Sequence, residues 1–265
     1  MVRLEGFLQK VVPVKQAEVK QAGQRISLAT LRADAEATPP PVSFLAAMEK
    51  SSPEDVGIIA EVKKASPSKG DIRPDLDPAA MAALYHEGGA RAISVLTESR
   101  YFKGNLADLE TVCETTRCPV LRKDFTISSY QIYEAKRAGA ASILLITTLL
   151  SRDQLSDYIS LVRELGMEPL VEITSELEFE TAYRASARVV DINNRNLSTL
   201  EVDQGVSKRI STILPGDVIG VEASGISGRS DIEKGVEAGF SNFLVGESIV
   251  RASDTAAFIK RLREA

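Results

Sequence analysis

GAASILLI, residues 139–146, decides how this chain is read. It begins on the glycine that closes a helical pattern, Ser128–Arg137, and passes at once into a run of Ile and Leu. A short apolar run without polar alternation suits a strand covered on both faces, as in a parallel sheet whose crossovers are helices. Helix, glycine stop and buried strand together make the grammar of a βα unit. The same grammar recurs in GARAISVL (89–96), GMEPLVEI (166–173) and GFSNFLVG (239–246).

Working outward, strand candidates are Ile58–Val62, Ala92–Leu96, Val120–Leu121, Ser142–Ile146, Pro169–Ile173, Arg188–Ile192, Val218–Val221 and Asn242–Val245. Helical patterns lie between them at Pro78–His86, Ser128–Arg137, Ser151–Leu165 and Asp231–Ala238. Eight units close a barrel, so the expected fold is α/β, a (β/α)₈ TIM barrel. An open doubly wound sheet is the runner-up. It calls for G-x-G-x-x-G after the first strand, where this chain has KKASPSKG (63–70). Residues 1–50 stay outside the alternation. Leu4–Gln21 and Ser43–Lys50 read as helices and Thr38–Pro41 as a breaker, giving an N-terminal helical extension packed on the barrel. Residues 1–265 are therefore expected to form a single domain.

A hydrophobic content of 44% over 265 residues is ample for one large core. The net charge of −5 comes from interspersed residues of both signs, which argues against a general nucleic-acid binder. It leaves room for a local anion site. MVRLEGFLQKVVPVKQ carries no secretory pattern, and no apolar run is long enough for a bilayer. Cys113 and Cys118 form neither a disulfide framework nor a zinc pattern and are expected to be reduced thiols. The expected setting is cytoplasmic, without a membrane partner, and the expected working unit is a monomer. The single histidine, His86, falls near a helix end, which suits a capping or surface role and leaves no triad and no metal site.

In this fold the active site gathers where strands end. There the sequence places Glu61 and Lys63, Lys123, and Glu172, on otherwise apolar strands. Alternation puts Glu61 and Lys63 on one face. One such charge reads equally well as a structural ion pair. Four at the same end of successive units argue for an acid–base site. Ser224-Gly225 and Gly246 follow the seventh and eighth strands, where backbone N–H groups of this fold hold phosphate.

In order and spacing, IIAEVKKASPSKG, SVLTESRYFKGNLADL, PVLRKDF, GMEPLVEI, INNRNL, ASGI and FLVGESI resemble indole-3-glycerol phosphate synthase. The resemblance runs from about Ile58 to Arg251. It implies a lyase of tryptophan biosynthesis. Its substrate would be 1-(2-carboxyphenylamino)-1-deoxyribulose 5-phosphate, closed to indole-3-glycerol phosphate with loss of carbon dioxide and water. It implies no metal and no organic cofactor. Lys123 then looks like the general acid on the substrate carbonyl oxygen, and Glu172 like its acid/base partner in dehydration. Glu61 and Lys63 look like a coupled supporting pair. Asn193 and Arg195 look like binders of the carboxylate and hydroxyls. Ser66, Ser224, Gly225, Gly246 and Glu247 look like the phosphate region, the last three mainly through backbone N–H groups.

Two positions depart from the family pattern. A-E-S-G is usual at the seventh strand end, where this chain has Glu222-Ala223-Ser224-Gly225. Gly is usual before I-N, where this chain has Asp191. One expectation is that Asp191, sharing a face with Asn193, supplies the carboxylate missing at Ala223. The others are that a bulge turns Glu222 inward, or that activity is impaired. A phosphoribosylanthranilate isomerase-like barrel is a further alternative, although it calls for Cys where the first strand ends in Glu61-Val62-Lys63. A barrel that binds a sugar phosphate without turnover is another.

Overall fold

The computed structural model describes residues 5–49, 52 and 55–264. Eight parallel strands close on themselves: β1 Gly57–Val62, β2 Ala92–Leu96, β3 Val120–Lys123, β4 Ser142–Ile146, β5 Glu168–Ile173, β6 Val189–Asn193, β7 Ile219–Ala223 and β8 Asn242–Val245. Each pairs with its sequence neighbours, and β1 closes the ring against β8. β1, β2, β4, β5, β6 and β8 are buried along their whole length, which explains runs that do not alternate. Four glycines that end helices, Gly89, Gly139, Gly166 and Gly239, have φ of 80°, 86°, 75° and 99°. Only a residue without Cβ takes that left-handed turn freely, so the helix stops and the chain re-enters the sheet.

The helices are α1 Leu8–Arg25, α2 Leu28–Ala37, α3 Phe44–Met48, α4 Pro78–Glu87, α5 Leu106–Thr115, α6 Ser129–Arg137, α7 Arg152–Glu164, α8 Glu176–Arg184, α9 Gly205–Ser211, α10 Arg229–Glu237, α11 Glu247–Arg251 and α12 Thr255–Arg263. Local chemistry sets their starts. Asp77 accepts from the N–H groups of Ala79 and Ala80 ahead of Pro78, and Ser151 with Gln154 forms a capping box on α7. A short hairpin, Ala65–Ser66 against Gly70–Asp71, follows β1.

The extension is helical, as expected, and includes α2, which the sequence reading did not resolve. The expected helix start at Leu4 and helix end at Lys50 lie outside the described residues. The extension runs from the barrel mouth to its foot. Lys15 of α1 reaches Asp124 just past β3, α2 packs on α6, and the carbonyl of Met48 in α3 accepts from Asn242 Nδ2 at 2.9 Å where β8 starts. Among the described residues, no helix is long and apolar enough to cross a membrane. His86 is exposed near the end of α4, its Nδ1 3.4 Å from Cys118 Sγ, and both cysteines are free.

Lys15 and Asp124 are both buried, with Nζ 2.8 Å from Oδ1. Burial alone would raise the Asp124 pKa, but Arg122 and Lys15 outweigh it and hold the carboxyl below its ordinary value. Removing one partner of a buried pair leaves a charge that water cannot reach. Lys15→Met is therefore expected to destabilise the fold by about 2–4 kcal/mol, read as a lower urea midpoint by circular dichroism. An unchanged midpoint would show that the pair does not hold α1 to the barrel.

Candidate active site

Alternation aims Glu61 of β1 and Lys63 just past it, Lys123 of β3, Glu172 of β5, and Asp191 and Asn193 of β6 into the barrel mouth. Glu172 and Asp191 are in register on adjacent strands, and Asn193 is in register with Ala223 of β7. Lys123 Nζ lies 3.2 Å from Glu172 Oε2 and 3.2 Å from Asp191 Oδ2. Lys63 Nζ lies 2.6 Å from Glu61 Oε1. The four charges picked from the sequence thus meet as two ion pairs. Burial works against the Lys123 ammonium, but Asp191, Glu172 and Glu61 together raise its pKa above the ordinary lysine value. Burial also pushes the Asp191 carboxyl up to about 7, against the pull of Lys123. Glu172 Oε1 has no hydrogen-bond partner among the described residues.

Above this floor lies a cavity of about 160 Å³. Phe7, Phe102 and Phe125 wall one side, with Phe125 centred 5.9 Å from Phe7 and 6.3 Å from Phe102. Leu144, Ile146 and Leu244 are apolar lining residues from the strands. A charged floor under apolar and aromatic walls suits a flat aromatic ring with a reacting polar arm. Sequence reasoning did not single out these aromatics. Phe102 and Phe125 sit inside the YFKG and KDF runs, so their signal was present. Phe7 comes from the extension and carries no local signal.

Ser66, Ser224, Gly246 and Glu247 line the cavity, as do Asn193 and Arg195. Ser224 Oγ donates to Asn193 Oδ1 at 2.8 Å, and the same oxygen accepts from the Arg195 N–H at 2.9 Å. Arg195 Nη1 donates to the Leu200 carbonyl at 2.8 Å, fixing the loop after β6. Gly225 follows Ser224 in the turn after β7, and its carbonyl accepts from Gln204 Nε2 at 3.2 Å. Its φ of 84° follows Ser224 at 69°, so two successive residues take the left-handed conformation at this turn. Among the described residues, no group of three or more His, Cys, Asp and Glu is arranged to hold a metal ion.

Residues 8–262 match the family described as Indole-3-glycerol phosphate synthase. The chain belongs to that family. The indole-3-glycerol phosphate synthase of Desulfosudis oleivorans is 50% identical over 195 residues, 74% of this chain and 74% of that protein. That of Mycobacterium ulcerans is 40% identical over 255 residues, 96% of this chain and 93% of that protein. A solved 3-hexulose-6-phosphate synthase superposes with a TM-score of 0.62 at 14% identity, covering 78% of this chain and 98% of that one, a likeness of fold alone. The synthase reading stands, and neither the isomerase nor the non-catalytic alternative gains support.

Within this synthase family the seventh strand end is resolved against a bulge. Glu222 faces outward, where its Oε1 accepts from Asn194 Nδ2 at 3.0 Å and from Ser207 Oγ at 2.6 Å. Ala223 lines the cavity instead. Asp191 does point into the barrel, but it lies beneath the cavity and does not line it.

Gly246 shows why that position bears no side chain. A Cβ there would collide with Glu61 Oε1 and lie 2.8 Å from Lys63 Nζ. Because these are ends of flexible side chains, the backbone can stay while the ion pair moves. Gly246→Ala is expected to cut turnover at least about tenfold through misplacement of that pair, with the melting temperature nearly kept. Parental turnover in that variant would separate the Glu61–Lys63 geometry from the chemistry.

Proposed function

We propose that this protein closes the indole ring, converting 1-(2-carboxyphenylamino)-1-deoxyribulose 5-phosphate to indole-3-glycerol phosphate, carbon dioxide and water. The observation that carries the reading is the Lys123–Glu172 pair, 3.2 Å apart under an aromatic-walled cavity. Family membership supports the same reaction. The ring carbon bearing the carboxylate bonds to the sugar carbonyl carbon. As the bond forms, Lys123 gives a proton to the carbonyl oxygen, where negative charge develops. Carbon dioxide then leaves and aromaticity returns. The new hydroxyl departs as water with a proton from Glu172, and loss of a neighbouring proton completes the double bond.

The Glu61–Lys63 pair orients the substrate and supports dehydration. Asn193 and Arg195 bind the carboxylate and hydroxyls. Ser66, Ser224, Gly246 and Glu247 form the phosphate end, with backbone N–H groups as the main donors after β8. Gly225 adds its backbone N–H to the same end. The reading requires neither metal nor organic cofactor. The site is complete within one chain, which supports a monomer as the working unit. Mixed surface charge and a biosynthetic reaction support a cytoplasmic setting without nucleic-acid or membrane partners.

The chain has no Trp, so an indole product is visible by fluorescence over a low background. Incubation with the carboxyphenylamino substrate is expected to give that signal, and Lys123→Ala to lower the rate by about 10³-fold or more. Absence of product from the parent would sink the proposal. Near-parental turnover of Lys123→Ala would reassign the acid.

A further inference from the structure

The charges on the floor do not balance. Among the described residues, Glu61, Glu172 and Asp191 meet only the ammonium groups of Lys63 and Lys123. Glu61 is matched by Lys63 at 2.6 Å, which leaves two carboxylates on one ammonium. Glu172 and Asp191 sit in register on β5 and β6, so the two like charges are close neighbours. On its other side Asp191 is in register with Val221 of β7, which offers no donor. Glu61 adds further negative potential from β1. Arg195, at the rim, is committed to the Leu200 carbonyl. Asp191 is fully buried, and its Oδ1 has no partner among the described residues. A buried carboxylate with one lone oxygen and a like charge alongside is relieved by taking a proton.

Resting on the ring-closure reading above, we propose that Asp191 is a positioning residue that takes up a proton from solvent when the anionic substrate binds, freeing Lys123 to donate to that substrate. The substrate brings a carboxylate and a phosphate toward a floor that already has excess negative charge. Protonating Asp191 forms an O–H bond there and removes one unit of that charge. Lys123 then holds one carboxylate in place of two, and an N–H turns toward the carbonyl oxygen above it. The raised affinity of Asp191 for a proton near neutrality agrees with this geometry. Asp191 itself does not touch substrate, because it lies below the cavity lining.

The sign follows directly. Neutral Asp191 is the binding-competent form, so kcat/KM falls as pH rises through the Asp191 pKa of about 7. The test uses the substrate analogue whose carbonyl is reduced to an alcohol, which cannot cyclise. Calorimetry at pH 7.5 in buffers of different ionisation enthalpy counts protons, above the range where the ligand phosphate itself titrates. The parent is expected to take up roughly 0.5–0.8 proton on binding. Asp191→Asn should cut the uptake to below about 0.2 and move the alkaline limb of kcat/KM upward by about one pH unit or more. Asp191→Glu, which keeps a titrating carboxyl, should restore both. If Asp191→Asn does not fold, Asp191→Ser serves as the second neutral variant.

Absence of uptake by the parent overturns the proposal without any variant. So does an Asp191→Asn enzyme that is slower or less stable but keeps the parental proton count and pH limb, as a merely structural residue would. A parent that forms no indole product yet takes up an Asp191-dependent proton overturns ring closure and not the coupling. Product formation without that proton overturns the coupling alone.

Discussion

Lys123 reaches inward from β3 and meets carboxylates from β5 and β6 at equal distances of 3.2 Å. Burial favours a neutral amine, so its charge survives only because Asp191, Glu172 and Glu61 surround it. The dependence is mutual. Without that cation, Glu172 and Asp191 would face each other in register as two buried like charges. The Glu61–Lys63 pair must lie close by on the same floor, and the bare backbone of Gly246 makes room for it. Closure of the barrel makes this geometry possible, since it brings the ends of β1, β3, β5 and β6 to one mouth, with only Lys63 lying a residue beyond its strand.

The extension belongs to the same arrangement. Asp124 follows Lys123 and carries the buried contact with Lys15 of α1, while Thr97 Oγ1 donates to the same carboxylate at 2.7 Å. The strand that presents Lys123 is thus anchored one residue later by the N-terminal helix. The chain just before that helix places Phe7 in the cavity wall, and the carbonyl of Ser198 accepts its N–H at 3.4 Å. One short segment therefore fixes the end of β3, a wall of the site and the loop after β6.

Strand runs and glycine stops were legible because burial on both faces demands continuous apolar sequence, and a left-handed helix stop demands glycine. Strand ends were placed short at Leu121, Ile192 and Val221, where the structure runs on to Lys123, Asn193 and Ala223. Polar residues there look like loop, yet the backbone stays paired in the sheet, with Lys123 and Asn193 facing the mouth and Glu222 facing outward. The unit before β6 stops its helix with Ser186, at φ 66°, where four other units use glycine. α2 went unread because LATLRADAEA shows little amphipathic contrast and only Leu31 and Ala35 are buried. Phe7 and the reach of Lys15 are tertiary facts, fixed by packing against segments about a hundred residues or more away in sequence.

The seventh strand shows how much one register step decides. Glu222 and Ala223 are neighbours, but alternation sends the glutamate into the layer behind the barrel and the methyl into the cavity. Outside, Glu222 ties Asn194 to Ser207 and packs where Gly235 of α10 leaves space. Inside, the rim between β6 and β8 presents the methyl of Ala223 and no carboxylate at that position. The acidic group gained at Asp191 lies one inward position below, in register with Val221 and not with Ala223. It therefore cannot touch what a side chain at position 223 would touch. Its polar contact is instead with Lys123, whose Nζ lies 3.2 Å from Asp191 Oδ2. Direct polar contact at that rim falls to Asn193 and Ser224, already joined at 2.8 Å. The carboxylate that this end of the barrel does carry therefore sits in the floor, one inward step below the rim that position 223 occupies.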